Sequence, residues 1–142
     1  MSQSLRPFHL AIPTLNINIS RDWYVDILGC TIGRYDEYWM DFNFFGHQLV
    51  VHLVDKMDEY SRSNSVDDEE IPANHFGVIL SMDHWEKLVL NLKDKDIKFV
   101  IEPQLRFKKT NGEQATFFIS DPFGNMLEFK AFKEDKFLFA QF

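Results

Sequence analysis

The amino-acid sequence carries the same order of secondary-structure signals twice, and this internal repeat restricts the possible folds more than any other feature. Each half begins with a short run in which large apolar residues alternate with smaller or polar ones, as in a strand with one buried face. A stretch with apolar residues at helical spacing follows, and three further strand-like runs complete the half. The sequence therefore predicts an α+β fold made of two modules, each with the order strand, helix, strand, strand, strand.

The first module is predicted to span residues 1–54. Ser20 has the side chain of a helix N-cap, and Gly29 is placed to end the same helix. Gly46 marks the turn before the last strand of the module. The predicted elements are a helix at 20–28 and strands at 8–12, 30–35, 38–44 and 47–54.

The second module is predicted to span residues 73–130. Asp83 is the expected N-cap of its helix, and Pro103 is expected to end the strand that follows. Residues 121–125, Asp-Pro-Phe-Gly-Asn, predict a tight turn before the last strand. The predicted elements are a helix at 83–93 and strands at 75–82, 97–101, 115–120 and 126–132.

Two segments lie outside the modules. Residues 55–72 are rich in Asp, Glu and Ser, and we expect an acidic, solvated linker in which the charge run at 67–70 has no function. The tail, 131–142, carries four large apolar residues near its end, and it is expected to pack on the same chain or across a dimer interface. The whole chain, 1–142, is predicted to form a single domain.

Composition excludes several classes of function. The formal net charge is −7 and no cluster of Lys and Arg stands out, so neither nucleic acid nor an anionic membrane is an expected partner. Cys30 is the only cysteine, which rules out an internal disulfide and a Cys-based zinc site and favours a reducing compartment. The chain shows no signal-peptide pattern and no apolar run of membrane-spanning length. A cytoplasmic protein is therefore expected.

Three potential metal ligands occupy corresponding strand faces. His9, His75 and Glu128 each lie in a predicted strand whose alternate positions hold large apolar residues. If the two sheets curve into a shared cup, all three side chains belong to its lining. Two imidazoles and one carboxylate form the facial set that binds Fe(II) and similar ions with open positions. A single His or Glu in a strand more commonly packs or faces solvent, but the repeat gives His9 and His75 equivalent places.

These features resemble the vicinal oxygen chelate superfamily of glyoxalases, bleomycin-resistance proteins and extradiol dioxygenases. The resemblance covers nearly the whole chain, and its most specific part is the run 121–129, which is close to the family signature D-P-x-G-N-x-x-E. Runs 44–49, 99–103 and 112–116 further resemble a bacterial, dioxygenase-like subgroup. The other runs that carry the resemblance are FHLA at 8–11, WYVDILGC at 23–30 and NHFGV at 74–78.

The resemblance implies paired βαβββ modules that form curved half-barrels around a metal ion, with His9, His75 and Glu128 as its ligands. Glyoxalase I-type sites use a fourth ligand, generally Glu, on the other closing strand. Aligning Gly46 with Gly124 puts Val50 in that place, and valine cannot ligate. The pattern therefore favours three ligands and a dioxygenase-like site. Fe(II) is the expected metal, with Mn, Ni, Co or Zn as alternatives, and the ligands can belong to one chain or be shared across a homodimer.

Strand parity also places side chains that could contact a substrate. His52 is a candidate catalytic acid or base near the rim of the cup, or else a solvent-facing histidine at a strand end. The predicted substrate-binding residues are Gln48, Trp39, Asp41 and Phe118, although Gln48 could also bond the sheet edge and the aromatic residues could simply fill the core.

Other polar residues have simpler interpretations. His47 is predicted to be structural and His84 to be exposed in the first turn of the second helix. Arg106, Lys108 and Lys109 could close over an anionic substrate, but a solvated loop is the default interpretation for them.

The function predicted from these features is a metal-dependent, extradiol dioxygenase-like enzyme that acts on a small molecule with adjacent oxygens. One alternative is a lyase, isomerase or thiol transferase that uses the same metal without oxygen chemistry. Another is a non-catalytic protein that sequesters a drug-like molecule. Binding-only relatives generally lack the ligand set, so the three intact ligands count against this last alternative.

Overall fold

The computed structural model describes residues 4–58, 63–66 and 69–141. The fold is α+β, as predicted, and the chain divides into two compact units, Met1–Glu59 and Tyr60–Phe142. No helix among the described residues has both the length and the apolar character needed to cross a membrane. That the two units together form a single domain stays a prediction.

The first unit follows the predicted order of one strand, a helix and three more strands. The elements are β1 (His9–Thr14), α1 (Ile17–Asp26), β2 (Thr31–Tyr35), β3 (Trp39–Phe44) and β4 (His47–Leu53). Strand β1 runs parallel to β4, and β3 pairs antiparallel with both β4 and β2, so the sheet order is β1-β4-β3-β2. The helix packs on the apolar face, where the ring of Tyr24 lies 5.2 Å from that of Phe42.

Helix α1 begins earlier than predicted, because Asn16 rather than Ser20 is its N-cap. The Asn16 side chain accepts a hydrogen bond from the backbone N–H of Ile19 at 3.0 Å. Ser20 is fully buried inside the helix, and its hydroxyl lies 2.7 Å from that of Thr14. Both residue types cap helices, and the local sequence did not distinguish them. Gly29 ends the helix with a φ of 74°, as expected.

The described residues of the second unit form a hairpin, one α-helix and a three-stranded sheet. The elements are β5 (Ser63–Val66), β6 (Glu69–Pro72), α2 (Met82–Asp94), β7 (Ile101–Arg106), β8 (Gln114–Ser120) and β9 (Met126–Phe132). The hairpin pairs β5 with β6, and the order of the three-stranded sheet is β7-β8-β9. Its core is built from phenylalanine rings, with Phe117 and Phe129 stacked at 5.4 Å. The indole N–H of Trp85 donates to the backbone carbonyl of Phe129 at 2.9 Å and so docks the helix on the sheet.

The strand predicted at 75–82 is an irregular extended segment. It runs parallel to β9 through two isolated bridges, Phe76 with Leu127 and Ile79 with Lys130. Backbone hydrogen bonds join it to β9 on both sides of Gly77, which lies so close to β9 that a Cβ atom there would overlap the carbonyl oxygen of Glu128. The segment still takes the place beside β9 that β1 takes beside β4 in the first unit.

Two boundaries in the second unit differ from the prediction. Ser81, not Asp83, is the N-cap of α2, because its hydroxyl accepts the backbone N–H of His84 at 3.3 Å. Strand β7 begins at Ile101, where the predicted strand was expected to end, and it contains Pro103. A break in register between Ile101 and Gln104 accommodates this proline, which has no N–H to donate to β8.

The segment predicted as a solvated linker contains the β5-β6 hairpin. Arg106 holds this hairpin: one guanidinium nitrogen donates to the carbonyl of Val66 at 3.0 Å, and another lies 3.3 Å from the carboxylate of Glu69. With 4% of its surface exposed, Arg106 is neither a solvated loop residue nor a group available to a substrate. Both predictions for Arg106 are wrong, since local composition gives no sign of an anchor 37 residues away. Residues 67–68 of the acidic run lie outside the described residues.

Lys108 and Lys109 are exposed, in agreement with the default interpretation. Beyond β9 the chain forms a short 3₁₀ turn, Asp135–Phe137. Phe139 is 93% exposed, and residue 142 of the tail lies outside the described residues. What the tail packs against stays a prediction.

Candidate metal centre

The turn before β9 sets the register that positions Glu128. The Asp121 carboxylate accepts the backbone N–H of Phe123 at 2.9 Å and that of Asn125 at 3.0 Å. Gly124 has a φ of 85°, which a side chain would make costly. This turn is the tight connection that the sequence predicted, and it leads directly into β9 at Met126.

Glu128 and His75 meet on one face of the second unit. The Nε2 atom of His75 lies 3.2 Å from Oε1 of Glu128. The other carboxylate oxygen accepts a hydrogen bond of 2.5 Å from the hydroxyl of Thr116. On the far side of the imidazole, Nδ1 lies 2.6 Å from the carbonyl oxygen of Pro72 and must donate to it. Both predicted ligands are therefore held by partners that leave His75 Nε2 directed at the carboxylate.

His75 and Glu128 are arranged to hold a proton or a cation between them. The hydrogen bond to Glu128 raises the pKa of His75 above its usual value, against the opposing effect of partial burial. Burial by itself would raise the pKa of Glu128, but hydrogen bonds from His75 and Thr116, together with the positive charges of Lys130 and His75, outweigh it and lower this pKa. With Nδ1–H committed to Pro72, a neutral His75 would aim its Nε2 lone pair at a carboxylate. A proton or a metal ion between the two atoms removes that repulsion.

The distance fits adjacent ligands of one metal ion. Ligand atoms about 2.1 Å from a metal at neighbouring octahedral positions lie roughly 3.0 Å apart, close to the 3.2 Å observed between His75 and Glu128. Metal-binding histidines also commonly donate their other ring N–H to a carbonyl, as His75 does. Phe118, fully buried, supports the imidazole edge-to-face with ring centroids 5.0 Å apart.

In the first unit, His9 belongs to a separate row of hydrogen bonds. Its Nδ1 lies 2.8 Å from Oε1 of Gln48, and the amide nitrogen of Gln48 donates to the Asp41 carboxylate at 3.1 Å. The guanidinium Nε of Arg34 lies 3.8 Å from the same Asp41 oxygen, and this guanidinium also covers the ring of Trp39 at 5.9 Å. Gln48 and Asp41 were both predicted to bind substrate, but the Gln48 amide is already bonded to His9 and to Asp41, and Asp41 is bonded to Gln48.

The remaining histidines occupy the following places. His52 is exposed near the end of β4, opposite Trp39 on β3. His47 accepts the backbone N–H of Phe8 at 2.8 Å, which confirms its structural role. His84 is exposed on α2, as predicted.

Strand register confirms that Val50 and Glu128 are equivalent. In the first unit, Ala11 lies opposite Val50. In the second, Phe76 lies opposite Leu127, so the next residue lies opposite Glu128. Val50 is apolar and only 5% exposed, so this closing strand offers no ligand at the position equivalent to Glu128.

Among the described residues, no group of three or more His, Cys, Asp and Glu side chains is close enough to hold a metal ion. The observed set is the pair His75 and Glu128, and the third ligand, His9, stays a prediction. Sequence reasoning placed Thr116, like Phe118, on a strand face that could line the cup, but it did not predict the hydrogen bond from Thr116 to Glu128. It also missed Gln104, whose side-chain nitrogen is buried without a hydrogen-bond partner in the described part of the chain.

Comparison with known proteins identifies relatives of the whole chain. The family model described as Glyoxalase/Bleomycin resistance protein/Dioxygenase superfamily matches residues 6–129. A crystal structure of a glyoxalase/bleomycin resistance protein/dioxygenase from Alicyclobacillus acidocaldarius is 33% identical, with a TM-score of 0.82, and the match covers 98% of this chain and 100% of that one. A comparison with curated proteins found no match.

Two more distant structures share the fold. Lactoylglutathione lyase from Agrobacterium tumefaciens has a TM-score of 0.64 at 13% identity, and the match covers 99% of this chain and 100% of that chain. A genomically encoded fosfomycin resistance protein from Listeria monocytogenes has a TM-score of 0.63 at 13% identity, with 96% of this chain and 98% of that chain covered.

Proposed function

Because the chain belongs to the Glyoxalase/Bleomycin resistance protein/Dioxygenase superfamily, we propose that it is a metal-dependent enzyme acting on a small molecule with adjacent oxygen atoms. His75 and Glu128 hold the divalent metal ion, with His9 as the third protein ligand. The observation that carries the proposal is the pairing of His75 Nε2 with Glu128 Oε1 at 3.2 Å. The superfamily also includes non-catalytic resistance proteins, and this hydrogen-bonded pair, in which Glu128 is buried and His75 is solvent-accessible, supports the metal-dependent class.

A bound divalent ion supplies Lewis acidity toward the adjacent oxygens of the substrate and, if it is Fe(II), a site for oxygen chemistry. The protein's own residues prepare the ligands. Thr116 holds one oxygen of Glu128 and leaves the other for the metal. The carbonyl of Pro72 keeps the proton of His75 on Nδ1, so Nε2 can ligate.

The proposed reaction is ring cleavage of a catechol-like compound. Val50 in place of a fourth ligand supports this choice over a glyoxalase I-type reaction, because a three-ligand centre leaves more positions for substrate and oxygen. Fe(II) is the proposed metal, with Mn, Ni, Co or Zn as alternatives. His52 is the proposed acid or base, and Trp39 lies opposite it on the neighbouring strand β3. A homodimer and a cytoplasmic location stay predictions of the sequence.

The first experiment measures metal content and affinity. Protein purified without oxygen and reconstituted with Fe(II) is expected to hold about one ion per chain. His75→Ala and Glu128→Ala are expected to lose it, whereas His84→Ala, which removes an exposed histidine, is the matched control. Stoichiometric binding that survives both site substitutions would overturn the proposed centre.

The second experiment tests the reaction. Oxygen uptake with catechols by the Fe(II) protein, lost in Glu128→Ala and kept in His84→Ala, is the expected result. A protein that binds metal at His75 and Glu128 but consumes no oxygen with any catechol would refute the dioxygenase reaction. Isomerisation or thiol addition under those conditions would identify the enzyme as a member of the other metal-dependent class.

A further inference from the structure

The hydrogen-bond row in the first unit has only one possible direction. Asp41 is a carboxylate, which accepts hydrogen bonds and does not donate them when ionised. The amide group of Gln48 must therefore present its NH₂ to Asp41, at 3.1 Å, and its oxygen to His9, at 2.8 Å. Since an amide oxygen is only an acceptor, the facing Nδ1 of His9 must carry a proton. In the neutral imidazole, this leaves the lone pair on Nε2.

Asp41, the first residue of this row, is buried and held in position by its neighbours. Asp41 is 7% exposed, and its Cβ lies 3.2 Å from where a side chain at Gly33 would begin, so the two strands approach closely here. Arg34 adds an attractive charge 3.8 Å from the carboxylate. A buried acceptor held between strands can orient the more exposed amide of Gln48.

The equivalent histidine of the second unit, His75, also carries a proton on Nδ1, but its acceptor is a backbone group. His75 donates Nδ1–H to the backbone carbonyl of Pro72, at 2.6 Å. His9 depends instead on two side chains from β3 and β4. A side-chain substitution cannot remove the backbone acceptor of His75, whereas substitution of Gln48 or Asp41 can change the tautomer of His9.

We propose that Gln48 and Asp41 are positioning residues for His9, which hold its imidazole with the proton on Nδ1 and present Nε2 as a metal ligand. This role differs from the substrate binding that was predicted for them from the sequence. Only the last step, ligation by Nε2, rests on the proposed function. The tautomer itself is a property of the metal-free protein.

Nitrogen NMR of the metal-free protein measures the tautomer directly. At about pH 8.5, where an unperturbed imidazole is neutral, His9 is expected to show a protonated Nδ1 and an unprotonated Nε2. Gln48→Leu removes the acceptor, and the proton is expected to move to Nε2, the site that a histidine side chain in water favours. Gln104→Leu is the matched control, because it removes an amide whose nitrogen has no hydrogen-bond partner among the described residues, and His9 should not change.

A double variant separates orientation from general damage. Gln48→Glu alone sets two carboxylates against each other. Combined with Asp41→Asn, it reverses donor and acceptor between the two side chains while still giving His9 an acceptor. The double variant is expected to restore the Nδ1–H tautomer. Failure of this restoration, or a wild-type His9 with its proton on Nε2, would overturn the proposal.

Metal affinity is the second readout. If Nε2 of His9 ligates, Gln48→Leu is expected to weaken Co(II) binding by about 10- to 100-fold, as for other partners of metal-binding histidines, and the double variant to recover most of it. If the wild-type protein binds no metal, the proposed function fails while the tautomer still decides this proposal. The positioning role would be refuted if Gln48→Leu kept the proton of His9 on Nδ1 and bound Co(II) with the affinity of the wild-type protein.

Discussion

The hydrogen bond from Thr116 to Glu128 contributes to the free energy of unfolding, and the burial of both side chains sets the size of this contribution. Thr116 is fully buried, Glu128 is 9% exposed, and the bond is 2.5 Å long. Thr116→Val keeps the shape of the side chain and removes the donor, so no cavity forms. A hydrogen bond to a charged group contributes about 1.5–3 kcal/mol. We expect the metal-free variant to lose this amount of unfolding free energy at neutral pH.

The same loss should depend on pH. The pKa of Glu128 is lowered in the folded protein because burial, which would raise it, is outweighed by the bonds from His75 and Thr116 together with the charges of Lys130 and His75. A carboxyl group with a lowered pKa contributes stability above its unfolded-state pKa, and this contribution disappears as the pH falls through the folded-state value. Without the Thr116 donor the folded-state pKa of Glu128 rises, so wild type and variant should converge in stability as the carboxylate becomes protonated.

Urea denaturation with a chelator present, at neutral pH and in acid, measures both effects. Thr31→Val is a suitable control, because Thr31 is exposed on β2 and its substitution should change stability by less than about 0.5 kcal/mol. The reasoning is refuted if Thr116→Val costs no more than Thr31→Val at neutral pH. It is equally refuted if the cost is the same in acid.

Three further predictions concern other parts of the fold. Arg106→Met should cost about 1–3 kcal/mol and open the β5-β6 hairpin to limited proteolysis, because it removes the hairpin's anchor; an unchanged cleavage pattern would contradict this. Burial raises the pKa of Cys30 to about 12, so its thiol should resist labelling by a disulfide reagent until the protein unfolds. The free energy of unfolding should also fall as the pH rises above about 9, because the Cys30 thiol then ionises in the unfolded chain but not in the folded protein. Gly77→Ala should lower the melting temperature and the affinity for metal together, because the added Cβ pushes the segment away from Glu128; a fully wild-type melt would count against this close approach.

Local patterns predicted those elements whose signals have a single interpretation. The strand at 126–132 was predicted with its observed bounds, since a turn with Asp, Gly and Asn precedes it and apolar residues alternate within it. Helix α1 was misplaced at its start because both Asn16 and Ser20 are good caps. Strand β7 was misplaced because Pro103 usually ends a strand, whereas here a break in register accommodates it.

The hairpin at 63–72 shows a different kind of failure. Its residues are polar and carry little apolar periodicity, so no local rule predicts strands there. Arg106 supplies the stabilising contacts from a distant part of the chain. Such an element can be recognised only when its partner is known.

The sequence by itself determined the repeat, the α+β class and the alternating faces of the strands that carry His9, His75 and Glu128, because each follows from residue type and a short period along the chain. The family was predicted from the resemblance of the sequence motifs to those of known proteins. Only the tertiary structure decided what those side chains bond to. Strand pairing brings Thr116 to Glu128 and Gln48 to His9, and such partners are set by register between strands rather than by neighbours in sequence. The tautomer of each histidine follows from those partners, and so it was beyond the reach of the sequence.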